Sequence, residues 1–145
     1  MTRPTTYELE MLTPDELGIL LFTEIERNHY DIQHIQNLIT VGCPIDYRNP
    51  FGQTPLHFTA LRGRYDILEV LVHNGADINA RDNGGWTPLH FIVNGRSLDM
   101  IKFLVEKGAD VNARTNEGLG VVGIAMMRMI ESPEIVKFLI SKGAA

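Results

Sequence analysis

Apolar residues recur at helical spacing in four short segments of the chain, and each segment is followed by a glycine. A spacing of three or four residues places such side chains on one face of a helix, and a glycine after the last of them supplies the left-handed conformation that ends many helices. The pattern predicts amphipathic helices ending at Gly42, Gly75, Gly108 and Gly143. Their apolar faces are Ile32, Ile35, Leu38 and Ile39; Ile67, Leu68, Leu71 and Val72; Met100, Ile101, Leu104 and Val105; and Ile135, Val136, Leu139 and Ile140.

Further helices are predicted from the residues that start them. Thr13 is followed by Pro14 and then, at the third helical position, by Glu16. The threonine hydroxyl and the glutamate carboxylate can satisfy first-turn amides, and proline lacks the amide that would have no partner there. This indicates a helix from Pro14 to about Arg27. The same reasoning predicts helices that begin after Thr54, Thr87 and Ser132.

Two unrelated segments of the chain recur with one shared displacement, which we call the period. Thr54–His57 reappears as Thr87–His90, and Gly75–Arg81 reappears, with Val in place of Ile, as Gly108–Arg114. Units of this size cannot bury their own apolar faces, so they stack on their neighbours. The sequence therefore predicts an all-α solenoid of stacked helix pairs, with its function on a surface.

The period divides the chain into an N-terminal arm and one domain. Residues 1–12 show no sustained period and are predicted to be either a frayed arm or a strap docked on the first repeat. In the last repeat Gly120–Gly123 replaces the capping tetrapeptide, so we expect that helix start to be weaker by about 1 kcal/mol. The single domain, 13–145, has predicted repeats at about 13–49, 50–82, 83–115 and 116–145.

Composition and charge limit the classes of partner and the cellular compartment that are expected. The chain has 145 residues, of which 44% are hydrophobic, enough for a continuous core. Its 13 basic and 18 acidic residues give a net charge of −5 without a charged block, which disfavours nucleic acid and anionic membranes as ligands. Cys43 has no partner for a disulfide, and the chain starts without the apolar stretch of a secretory signal. A cytoplasmic protein is the expectation.

Candidate catalytic and metal-binding residues have simpler structural explanations. His57 and His90 lie one period apart, so each holds the same place in its own repeat. The other three histidines have no cysteine or carboxylate at ligand spacing, and no base lies near Cys43 in the sequence to activate its thiol. The sequence predicts no enzymatic activity, no metal site and no cofactor.

The segments Thr54–His57 and Gly75–Arg81, with their copies, resemble the ankyrin repeat family, whose repeat length equals this period. The resemblance is carried by the two central repeats, about residues 50–115, and the flanks are divergent copies. It implies antiparallel helix pairs joined by β-hairpin-like loops that project from one edge, and a concave surface that binds other proteins. It also implies that the histidine hydrogen-bonds around the threonine and links adjacent repeats.

Partner contacts in this family usually come from the loop tips and from exposed positions of the first helix in each pair. Trp86, just before a helix cap, and Phe51, one repeat earlier, are the favoured anchors. The alternative is that these aromatic residues pack against their own neighbouring loops. For Phe58 and Phe91 both interpretations, partner contact and local packing, stay open. The family pattern selects Phe51, Gln53, Phe58, Leu61 and Arg62 in the second repeat, Asn83, Trp86, Phe91 and Asn94 in the third, and Glu117, Leu119, Ile124, Met127 and Arg128 in the fourth.

The last repeat is unusually apolar, because the run from Val121 to Ile130 exceeds what one helix face can bury. It is either core with a flexible methionine filler or a surface for a partner or second copy. The main prediction is a non-enzymatic module that binds another protein through its concave face and loop tips. The alternatives are an inhibitory or immunity-like subunit that occludes a partner enzyme, and a self-assembling piece that forms a weak homodimer through the C-terminal repeat.

Overall fold

The computed structural model describes residues 2–95, 97–127 and 132–145. Over these ranges the chain is helical and has no strand, only an isolated antiparallel bridge between Arg114 and Gly120; the all-α prediction is confirmed. The helices belong to two compact units, Met1–Ala76 and Asp77–Ala145. The first unit contains α1 (Thr6–Glu10), α2 (Pro14–Glu26), α3 (Ile32–Thr40), α4 (Pro55–Arg62) and α5 (Tyr65–His73); the second contains α6 (Pro88–Gly95), α7 (Leu98–Glu106), α8 (Val121–Met127) and α9 (Pro133–Ser141).

Threonine caps start α2 and α4, as the sequence predicts. Thr13 Oγ1 accepts the Glu16 amide at 3.2 Å, and the Glu16 carboxylate accepts the Thr13 amide at 2.8 Å. In α4 a histidine replaces the glutamate: His57 Nδ1 accepts the Thr54 amide at 3.0 Å, while Thr54 Oγ1 accepts the His57 amide at 3.4 Å. Both reciprocal caps satisfy amides that the helix itself leaves without partners.

The predicted apolar faces of α3 and α5 form the core of the first unit, where they pack on each other and on α2 and α4. The glycines after both helices have positive φ, 97° at Gly42 and 89° at Gly75, as the left-handed helix end requires. The fully buried side chains include Leu21, Ile25, Ile35, Leu38, Leu56, Ile67, Leu68 and Leu71.

The N-terminal segment is docked on the first unit, and it contains a helix that the apolar pattern did not predict. Thr5 caps α1 by accepting the Glu8 amide at 3.3 Å, and the Glu8 carboxylate accepts the Thr5 amide at 2.6 Å. Leu9 is completely buried, whereas Tyr7 is 74% exposed. A five-residue helix with one inward side chain is too short to show a period, which is why the sequence pattern missed it.

Glu24 of α2 fastens the N-terminal segment to the unit. Its carboxylate, in a residue only 2% exposed, accepts Arg3 Nη2 at 2.7 Å, Arg3 Nε at 3.0 Å and the Asp31 amide at 2.7 Å. Burial acts to raise the pKa of Glu24, but the hydrogen bonds from Arg3 and Asp31 outweigh it, and the pKa lies below its ordinary value of 4.5. The buried group is therefore charged at neutral pH and is balanced by Arg3.

In the second unit, asparagines one period apart join successive repeats. Asn79 Nδ2 donates to the Gly108 carbonyl at 3.1 Å, and its Oδ1 accepts the Asp110 amide at 2.8 Å. Asn112 makes the same two bonds, at 3.1 and 3.0 Å, to the residues that follow α9. The repeated segment thus carries its own connection to the next repeat.

The apolar run of the last repeat divides into core and surface. Val121, Val122 and Ile124 are buried, whereas Met126 and Met127 are 56% and 71% exposed. The prediction that Ile124 is a partner contact is therefore wrong, because its side chain lies in the core. The rest of the run, residues 128–130, lies outside the described residues.

Leu9→Ala should destabilise the first unit, because it empties a completely buried position. Large-to-small changes of this kind cost roughly 2–5 kcal/mol. Tyr7→Ala removes a side chain that is 74% exposed from the same helix and should change stability by less than about 0.5 kcal/mol. Urea unfolding followed by circular dichroism compares the two, and equal midpoints would contradict docking through Leu9.

Candidate functional site

A side-chain oxygen closes the turn before the first helix of the central repeats. In the first unit Asn49 Oδ1 accepts the amides of Phe51 and Gln53 at 2.9 and 3.0 Å. In the second unit Asp82 Oδ1 accepts the two corresponding amides, including that of Trp86, both at 2.9 Å. Such side chains replace a backbone acceptor and hold the turn in one conformation. The residues favoured as anchors thus stand on preformed turns.

Thr115 continues this series, with its Oγ1 accepting the Leu119 amide at 3.1 Å. The sequence analysis did not predict that residues 49, 82 and 115 close these turns. Their spacing by one period could have indicated it, because asparagine, aspartate and threonine all have short side chains whose oxygen accepts backbone amides in turns. Each is followed three residues later by a glycine with φ between 75° and 82°: Gly52, Gly85 and Gly118.

Phe51 and Trp86 occupy different places in these turns, although the sequence suggested a matching pair. The turn register makes Gln53 the counterpart of Trp86, because both follow their turn glycine directly. Phe51 stands one residue before that glycine, at the tip of the turn, and is 69% exposed. Trp86 stands at the base of its turn and is half-buried. Phe51 is therefore the more accessible of the two aromatic side chains.

Trp86 packs on residues of its own repeat while keeping part of its surface exposed. Its ring centroid lies 5.5 Å from that of Phe91 and 5.6 Å from that of His90, both in tilted arrangements. We call these three residues the Trp86 cluster. Part of the Trp86 and Phe91 surfaces is thus covered by packing against neighbouring residues, which was the alternative to contact with a partner. Asn94, one turn beyond Phe91 in α6, is exposed.

His90 joins the start of α6 to the turn before α8. The Thr87 amide donates to its Nδ1 at 3.1 Å, so Nδ1 is unprotonated and the proton sits on Nε2. Nε2 then donates to the Leu119 carbonyl at 3.1 Å. Burial lowers the pKa of His90 from its ordinary value of 6.5, despite the opposing effect of the Leu119 carbonyl. The link between repeats that the resemblance implied is present here, made by a neutral imidazole.

In the first unit Phe58 belongs to a group of aromatic residues that we call the Phe22 cluster: Phe22, Tyr47 and Phe58. The Phe22 ring lies edge-on to Phe58, with centroids 5.1 Å apart, and 6.2 Å from Tyr47. Tyr47 fits closely over Gly18, where an added Cβ would overlap its ring. Phe22 was missed because the selection from the sequence covered the second to fourth repeats and not the first, whose α2 is five residues longer than α4. Counting back from the helix ends would have matched Phe22 to Phe58.

The remaining predicted residues differ in accessibility. Arg62 is exposed, and its Nη2 donates to the Glu26 carbonyl at 2.9 Å. Gln53 and Leu119 are half-buried, and Met127 is 71% exposed at the end of α8. Arg128 lies outside the described residues.

Reactive and metal-binding groups are sparse in the described ranges. Three or more histidine, cysteine or carboxylate side chains are nowhere grouped there to hold a metal ion. Cys43 is buried, and burial raises the pKa of its thiol to about 11, so it stays protonated at neutral pH. Among the described helices, none combines the length and apolar character needed to cross a membrane.

A family model described as ankyrin repeats in three copies matches residues 21–115 and, in a second alignment, residues 83–145. The chain belongs to the ankyrin repeat family. A comparison with curated proteins gives no match to the chain. Ankyrin repeats generally serve as modules that bind other proteins, and the family is typically non-enzymatic.

His90→Gln should weaken the dependence of stability on pH. The pKa of His90 in the folded chain lies below its ordinary value of 6.5, so the unfolded chain takes up a proton first as the pH falls. The stabilisation is complete above that value and is lost as the pH drops from there toward the folded-state pKa. Wild type should therefore lose free energy of unfolding as the pH falls through the ordinary histidine pKa of 6.5, and the variant should lose less.

The measurement is urea unfolding at several pH values. Ile92→Val alters a buried side chain of the same helix without removing a titrating group, so it controls for lowered stability. His34, whose pKa burial also lowers, contributes to the pH dependence of all three chains. A His90→Gln slope equal to that of wild type would contradict the neutral buried imidazole.

Proposed function

We propose that this chain is a non-enzymatic module that binds another protein through the exposed side chains of its turns and first helices. The observation that carries the proposal is Phe51, a large aromatic side chain that is 69% exposed at the tip of a turn held by Asn49. An apolar ring so placed gains from burial by a partner, and the preformed turn limits the entropy lost on binding.

The proposed contact residues are a subset of those selected from the sequence. In the second unit, Trp86 and Phe91 offer half-buried rings whose remaining surface a partner can cover, and the exposed Asn94 lies one helical turn beyond Phe91. In the first unit, the exposed Arg62 lies one helical turn beyond Phe58. Aromatic anchors surrounded by polar groups are typical of binding hot spots. The proposed set is Phe51, Gln53, Phe58, Arg62, Trp86, Phe91, Asn94, Leu119, Met127 and Arg128.

The proposed partner is a protein with a basic surface, and the proposed compartment is the cytoplasm. A net charge of −5 favours a protein with a basic surface over nucleic acid. The single cysteine, buried as a thiol, suits a reducing compartment such as the cytoplasm.

Phe51→Ala combined with Trp86→Ala should weaken partner binding about 30-fold or more, the effect of losing at least one hot-spot residue. The partner is first obtained by affinity capture with the wild-type chain, and its affinity is then measured by calorimetry. Tyr7→Ala with Met11→Ala is the matched control, because it removes two side chains that are 74% and 73% exposed elsewhere. Circular dichroism establishes that each variant is folded. Full affinity in the Phe51/Trp86 variant would overturn the proposal.

Self-association is a second candidate function, favoured by the adjacent exposed side chains of Met126 and Met127 on α8. Flexible methionine side chains adapt readily to an apolar partner surface. The homodimer should appear in sedimentation velocity at concentrations on the order of micromolar, and Met126→Ser with Met127→Ser should return it to monomer. A wild-type chain that is monomeric throughout this range would exclude the dimer.

A further inference from the structure

An apolar strip runs across the neighbouring helices α2 and α4 of the first unit. Ile19 and Phe22 lie three residues apart on one face of α2, and Phe58 and Leu61 lie three residues apart on α4. Ile19 and Leu61 are 55% and 54% exposed, and the rings of Phe22 and Phe58 meet between the helices at 5.1 Å. We call these four residues the α2–α4 strip. Two of them, Ile19 and Phe22, were absent from the sequence-based selection.

Acidic side chains lie beyond both ends of this strip on α2. Asp15 is four residues before Ile19 and Glu26 is four residues after Phe22, so both share the face of the strip. Both carboxylates are exposed. Among the described residues, Glu24 forms ion pairs with Arg3 and Arg27. Asp15 and Glu26 form no ion pair with a basic residue in this part of the chain.

The helix dipole explains the presence of an acidic residue at only one of these two positions. An acidic residue in the first turn, such as Asp15, interacts favourably with the helix dipole. Glu26 is the last residue of α2, where a negative charge is unfavourable for the same dipole. Arg62 lies near this end, but its guanidinium donates to the backbone carbonyl of Glu26. The carboxylate of Glu26 therefore remains available to a ligand.

We infer that the α2–α4 strip binds an amphipathic helix of the partner that carries apolar residues one turn apart and basic residues at both ends. The inference rests on the proposed function and names the partner chemistry for the first unit. Apolar anchors spaced by one helical turn match the one-turn spacing of Ile19–Phe22 and Phe58–Leu61. Lysine or arginine beyond the anchors meets Asp15 at one end and Glu26 at the other, which fixes the register of the bound helix.

The test is a selection from a phage-displayed library of amphipathic helices, with the whole chain as bait. Anchor and flanking positions are randomised, and selected sequences are made as synthetic peptides for affinity measurements by fluorescence anisotropy. Three variants are compared with wild type: Ile19→Ser with Leu61→Ser, Asp15→Lys with Glu26→Lys, and Phe51→Ala with Trp86→Ala. All substituted side chains except Trp86 are exposed, and circular dichroism establishes folding for each variant.

Selected peptides should carry Lys or Arg on both sides of apolar anchors. Their affinity should fall about tenfold or more in the Ile19/Leu61 variant, and in the Asp15/Glu26 variant the selection should change from basic to acidic flanks. Selected peptides without basic flanks, peptides insensitive to the Ile19/Leu61 variant, or a library that yields no binder would each overturn the inference. Peptides that lose affinity only in the Phe51/Trp86 variant would overturn it while leaving the proposed function intact. Loss of the natural partner's affinity in that variant tests the proposed function separately.

Discussion

The neutral imidazole of His90 connects two repeats through two hydrogen bonds, one that it accepts and one that it donates. Its Nδ1 accepts the Thr87 amide, and its Nε2 donates to the Leu119 carbonyl. A protonated ring has two donors and no acceptor, so the arrangement requires the uncharged form that burial favours. The cap of α6, the position of Trp86 against the ring and the turn before α8 all depend on this one protonation state.

The framework could be predicted from the sequence because its chemistry is local and repeated. Thr13 with Glu16, and Thr54 with His57, are separated by three residues, and their caps follow from side-chain chemistry alone. The single inward side chain of α1, by contrast, is identified only by what it packs against. The Arg3–Glu24 pair joins residues 21 positions apart, and nothing in the periodic pattern indicates such a partner.

The candidate surface was predictable only in part, for a related reason. The family pattern selected positions repeat by repeat, among them Phe51 and Phe58. It did not extend to the first repeat, which contains Phe22 and Ile19 and whose longer α2 shifts the register counted from the helix start. It also treated Phe51 and Trp86 as counterparts, whereas the turn hydrogen bonds place one at a tip and the other at a base. Exposure depends on such shifts of one or two residues, while core burial follows the period.

The buried carboxylate of Glu24 has a consequence for how residues 3 and 24 can change. If Arg3 alone were replaced by a neutral residue, Glu24 would keep the Asp31 amide and the neighbouring Arg27 but lose two of its closest donors. An undercompensated buried charge is strongly unfavourable, whereas an apolar pair of similar volume is often tolerated. The two positions should therefore vary together among related chains, as arginine with glutamate or as two apolar residues. Their covariation would show which relatives keep the N-terminal segment in the same docked position.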